Sequence, residues 1–82
     1  MLTINRLAKL LAAFADENGV PNGISPGELC DGRDIRPIDV GRLVVRQRDD
    51  VNAVLKPRGY AIVGYADAGE GYGKRIELDV CT

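Results

Sequence analysis

The chain has no histidine, no tryptophan, one phenylalanine and two cysteines among its 82 residues. Without histidine it lacks the commonest general base of enzymes and the commonest nitrogen ligand of zinc. Cys30 and Cys81 stand far apart, with no C-x-x-C spacing to hold a metal or cycle a dithiol. No carboxylate pair marks a pocket. The glycines of 69–73 fall in a hairpin and do not open a helix, as a phosphate loop requires. The sequence therefore predicts no enzyme, no metal and no cofactor. Nothing approaches the roughly 18 apolar residues of a membrane span. Residues 1–14 are apolar but carry Arg6 and Lys9 within their pattern, and Ala15-Asp16-Glu17 is a poor cleavage site, which predicts a helix in place of a signal peptide. Reduced thiols in or beside a core, and a cytoplasmic location, are the expectation.

What is present is an ordinary globular composition, 45% hydrophobic and 28% charged. That predicts one small domain over residues 1–82, near the length at which a single core just suffices. The net charge of −1 excludes an indiscriminate polyanion binder, yet the charge is segregated. Residues 41–60 hold Arg42, Arg46, Arg48, Lys56 and Arg58 against Asp49 and Asp50, a local +3 that leaves −4 for the rest.

Apolar residues Ile4, Leu7, Ala8, Leu11, Phe14 and Ala15 recur at three and four, so residues 3–17 predict an amphipathic first helix that Asn18-Gly19 ends. Ser25-Pro26-Gly27-Glu28 carries an N-cap serine, a proline at the first helical position and a capping-box glutamate, which starts a short second helix over 26–31. Pro37 or Asp39 then opens a third. Wound at 100° per residue, residues 39–56 gather Val40, Leu43, Val44, Val51, Val54 and Leu55 on one side, with only Gln47 interrupting the stripe. The opposite side collects Asp39, Arg42, Arg46, Asp49, Ala53 and Lys56, with Val45 at its edge. One long helix over 38–56 is the expectation.

Pro57-Arg58-Gly59 stops that helix. Residues 60–65 alternate weakly but are rich in β-formers. Residues 72–80 alternate clearly, with Ile76, Leu78 and Val80 on one face against Arg75, Glu77 and Asp79 on the other. The two runs predict an antiparallel hairpin over 60–80 with a glycine-rich, acidic tip at 66–71. The fold class expected is α+β: three helices followed by a two-stranded antiparallel hairpin, the order in which a winged helix is built. In such a helix-turn-helix module the third helix lies in the major groove and the hairpin is the wing.

Val44-Val45-Arg46-Gln47-Arg48 through Val54-Leu55, then Arg58-Gly59-Tyr60-Ala61-Ile62, then Gly69-Glu70-Gly71-Tyr72, resemble the end of a response-regulator effector domain of the OmpR type, a winged helix-turn-helix. The likeness spans roughly residues 25–78. It departs from the family where Ala68 replaces the arginine ahead of Gly-x-Gly-Tyr, where Asp67 and Glu70 lengthen and acidify the loop, and where Asp49-Asp50 puts acid into the third helix. An N-terminal sheet and a receiver domain are missing from it. The resemblance thus implies a stand-alone, trimmed winged helix that binds double-stranded DNA and regulates transcription, closer to small regulators of phage or plasmid type.

On this reading Arg42, Val45, Arg46 and Asp49 are the base-reading residues. Arg33, Arg36, Lys56, Arg58, Lys74 and Arg75 are the contacts to the DNA backbone. A site this small suggests a homodimer or an array on DNA. Each residue also has a plainer reading. Arg42 and Arg46 suit helix-face ion pairs with Asp39, Asp49 and Asp50. Lys74 and Arg75 suit protection of an edge strand, and Tyr60, Tyr65 and Tyr72 suit packing on the helices. Val45 on a polar face suits either a thymine methyl or a partner chain. The alternative function is a winged helix used as a protein-interaction module, a phage-type inhibitor or adaptor that does not bind DNA, which the overall acidity and the acidic tip favour.

Overall fold

The computed structural model describes residues 2–20, 23–67 and 74–81. Among them helix α1 (Ile4–Asn18) is followed by α2 (Pro26–Cys30), α3 (Pro37–Arg46), α4 (Arg48–Leu55), a 3-10 turn (Lys56–Arg58) and strands β1 (Tyr60–Asp67) and β2 (Lys74–Val80). The protein is α+β, with its helices first and an antiparallel hairpin last, an order compatible with a winged-helix-like arrangement. The turn at Pro21-Asn22 and the hairpin tip, with its Gly-x-Gly-Tyr, lie outside the described residues.

The helix boundaries follow local chemistry. Thr3 caps α1, its hydroxyl accepting the Arg6 N–H at 3.1 Å, and Gly19 ends it at a φ of 80°. Pro26 sits in the first turn of α2, where the Glu28 carboxylate accepts the Ser25 N–H at 3.0 Å. Pro37 opens α3, with Arg36 and not Asp39 in the capping position.

The long helix expected over 38–56 is two helices. At Gln47 the backbone leaves helical geometry (φ −128°, ψ 35°), which closes α3 and opens α4. The charges around the break favour it. Arg46 stands in the last turn of α3, and Asp49 and Asp50 stand in the first turn of α4. Each thereby faces the helix-dipole end of opposite sign. In an unbroken helix the two apolar stripes would be in phase, because seven residues from Val44 to Val51 advance nearly two whole turns. The break frees them to pack on different neighbours, α3 chiefly on α2 and α4 on α1.

Both stripes enter one core. Leu7, Leu11, Ile24, Leu29, Val40, Val44, Val51, Leu55 and Ile76 are fully buried, and Ile62 and Leu78 nearly so. Val80, expected on this inner face, is 59% exposed, because it pairs with Tyr60 at the open end of the hairpin, beyond the core.

The hairpin register is interrupted at Val63. Ile62 faces Leu78 and Gly64 faces Glu77, so Val63 is an extra residue, a β-bulge. The weak alternation of residues 60–65 is the sequence trace of that insertion. It puts both Ile62 and Tyr65, three positions apart, on the core side. Each outer edge of the ladder is also engaged. Ile24, between α1 and α2, exchanges two backbone hydrogen bonds with Ile76 of β2, at 2.8 and 2.7 Å. On the β1 side, the Asn52 amide of α4 accepts the Ile62 N–H at 2.7 Å and donates to the Ile62 carbonyl at 3.2 Å. At the open end, the Tyr60 hydroxyl donates to Asp16 of α1 at 2.5 Å. The hairpin is thus anchored to three helical or pre-helical segments.

A candidate nucleic-acid interface

An open groove of about 340 Å³ runs between α3 and β1–β2, lined by Pro37, Ile38, Gly41, Arg42, Val45, Arg46, Tyr65 and Lys74. It continues past the start of α2, over Ser25, Pro26 and Gly27. Among the described residues, three cations and no carboxylate line the α3 portion.

The wall of the groove is set where Tyr65 meets Gly41, which has no side chain. A Cβ at that position would come within 2.9 Å of the Tyr65 hydroxyl, so the absence of one lets the ring lean onto α3. Tyr65 points there because the Val63 bulge has turned it to the helical side. Lys74, at the start of β2, places its ammonium 5.4 Å from the centre of the Tyr65 ring, a cation–π contact. A residue near the hairpin tip is thereby drawn toward α3.

Ile38, Arg42, Val45 and Arg46 fall within about 100° of the α3 surface. Ile38 is 56% and Val45 61% exposed. Among the described residues neither Arg42 nor Arg46 has an ion-pair partner. Asp39, expected beside Arg42, instead receives both arms of Arg36, at 3.1 and 3.3 Å. That bond holds the Arg36 guanidinium above its ordinary pKa. Asp49 and Asp50, expected to pair with Arg46, lie across the break on α4.

Arg42, Val45, Arg46 and Lys74 are therefore brought together. The other residues singled out in the sequence are not. Asp49 is exposed on the first turn of α4, off the groove lining. Arg33 donates to the carbonyls of Leu29 and Asp31, at 3.1 and 3.3 Å, which closes the end of α2. Lys56 and Arg58 are exposed in the 3-10 turn. That turn meets the open end of the hairpin, five residues and roughly 16 Å of strand from Tyr65. Arg75 is half-buried on the face of β2 away from Ile76. Ile38 and Gly41 are groove residues that the sequence pattern did not single out, and Tyr65 packs on a helix as expected. Ile38 carried a usable signal, since it lies seven residues before Val45 on the same face.

Cys30 and Cys81 are free thiols, both half-buried. Burial pushes the Cys30 thiol above its ordinary pKa, against the smaller opposing field of Arg33. Among the described residues no group of three or more histidine, cysteine or acidic side chains is placed to hold a metal, and no helix is long and apolar enough to cross a membrane. Set against known proteins, the chain matches no family model, no curated protein and no solved structure.

Proposed function

We propose that this chain is a winged-helix DNA-binding protein, a small transcriptional regulator of phage or plasmid type that sets α3 into the major groove of duplex DNA and lays the hairpin alongside. The observation that carries this reading is the groove: Arg42, Arg46 and Lys74 converge on it with no carboxylate among the described residues of its lining, in a chain whose net charge is −1. A local surplus of unpaired guanidinium on one exposed helix face is what phosphate contact and guanine readout require. The Ile24–Ile76 bridge, a single antiparallel bridge on the outer edge of β2, is compatible with this reading. The resemblance to OmpR-type effector domains points the same way.

In this scheme Arg42 and Arg46 reach base edges or flanking phosphates, and Lys74 takes a phosphate from the hairpin side. Lys56 and Arg58 lie too far along the hairpin to share that contact, and Arg33 and Arg36 are occupied within the protein. The protein acts in the cytoplasm, and a second copy on an adjacent half-site raises the affinity.

The test is fluorescence anisotropy with random duplex DNA at about 50 and 200 mM salt. Binding weakens steeply with salt, and Arg42→Ala/Arg46→Ala flattens the slope of log K against log salt by about one for each phosphate the arginines had neutralised. Failure of the folded protein to bind at micromolar concentration would refute the proposal. One observation favours a second reading, a protein-interaction module: Ile38 and Val45 leave an apolar strip in water on the same helix face.

A further inference from the structure

Ile38 and Val45 lie outside the core, and more than half of each is exposed. They are seven residues apart, which puts them on one line of α3 separated by about 10.5 Å of helix rise. Between them lies Gly41, which adds no side chain, so they stand as two separate apolar knobs with the Tyr65 hydroxyl beneath the gap. Arg42 and Arg46 form a second row on the same face. A helix lying in the major groove is inclined to the DNA axis, so two side chains about 10.5 Å apart along it meet different base pairs. In the major groove the one apolar group a base pair presents is the thymine 5-methyl.

Resting on the DNA-binding reading above, we propose that α3 recognises 5-methyl groups: its preferred duplex carries two thymines at different base pairs of one major-groove site, one met by Ile38 and one by Val45, with the intervening and flanking positions read by Arg42 and Arg46. The occupant is DNA and not an apolar protein surface because the strip is only two residues wide and is bordered by three cations. Specificity then depends on a group that uracil and cytosine lack.

Selection from a randomised duplex pool by the full chain supplies the preferred site. That site is then resynthesised with uracil in place of thymine at each position in turn. Removing one contacted methyl weakens binding by about fourfold, the transfer free energy of one buried CH₂ group expressed as an equilibrium ratio. The effect occurs at two positions, and Ile38→Ser abolishes it at one and Val45→Ser at the other. Both substitutions are on exposed side chains, and circular dichroism checks the fold. If uracil duplexes bind as tightly as thymine duplexes at every position, the inference falls while DNA binding stands. If the folded chain binds neither duplex at micromolar concentration, the DNA-binding reading falls and takes this one with it.

Discussion

The hydroxyl of Tyr65 rests on α3 at Gly41, so closely that the smallest side chain there would meet it at 2.9 Å. One missing Cβ therefore decides how near the hairpin comes to the helix. Glycine inside a helix costs about 1 kcal/mol relative to alanine, so its presence at this position is offset by the packing it permits. Gly41→Ala is expected to recover little of that amount, because the ring must move. In a Tyr65→Phe background, where the nearest ring carbon is 3.7 Å away, Gly41→Ala should stabilise by about 1 kcal/mol. A double-mutant cycle by urea denaturation measures the difference; purely additive changes would show that Tyr65 yields at no cost.

Asn52 satisfies both backbone groups of Ile62 on the outer side of β1. Asn52→Ala leaves a donor and an acceptor without partners in a half-buried place, at a cost of about 1–3 kcal/mol. The melting temperature should fall by about 4–8 °C for each kcal/mol in a chain of this length. Asn52→Asp keeps the acceptor but sets a carboxylate oxygen against the Ile62 carbonyl, so it should destabilise too. A melting curve unchanged by either substitution would show that solvent replaces the amide.

The hydrogen bond to Asp16 raises the pKa of Tyr60 above its usual value. The folded protein thus holds this proton more tightly than the unfolded chain does. The stabilisation is fully present below the ordinary tyrosine pKa of about 10 and is lost as pH rises through the raised value. Ultraviolet titration of the phenolate should show one late-ionising tyrosine. Asp16→Ala should return it to the ordinary range; a titration insensitive to that change would locate the cause elsewhere.

The break at Gln47 makes Asp49 and Asp50 residues of a helix N-terminus, where negative charge is favourable. Replacing both by lysine should destabilise the protein by roughly 1 kcal/mol at low salt, and less at high salt. In an unbroken helix the same exchange at mid-length would have little dipole effect. Chemical denaturation at two ionic strengths distinguishes the cases.

Much of the fold is legible in the sequence, because its signals are local. Thr3, Pro26 with Glu28, Pro37 and Gly59 mark element boundaries by their own chemistry, and Ile76 and Leu78 declare an inner strand face. The parts that escape depend on partners distant in sequence or on a fault in a regular pattern. Val44 and Val51 are in phase, so periodicity alone runs straight through Gln47, although basic Arg46 followed by acidic Asp49 and Asp50 is the charge order of one helix ending and another beginning. The Val63 bulge shows in sequence only as a weakened alternation. The Ile24–Ile76 bridge has no local signal at all. For the candidate site, Arg42, Val45 and Arg46 are readable from the outer face of one helix. Lys74 is readable as a cation but not as a neighbour of that helix, because the Tyr65–Gly41 contact that draws the hairpin to α3 joins residues 24 positions apart. The pairing of Asp39 with Arg36 in preference to Arg42 is likewise undecidable from spacing, which allows both.

Splitting one helix at Gln47 separates two duties that a continuous rod would have fused. Leu55 and Val51 lock α4 to α1, and Asn52 ties it to the hairpin, so sequence change there endangers folding. The exposed residues of α3, Ile38, Arg42, Val45 and Arg46, carry none of that burden, so their side chains can change while the core remains unaltered.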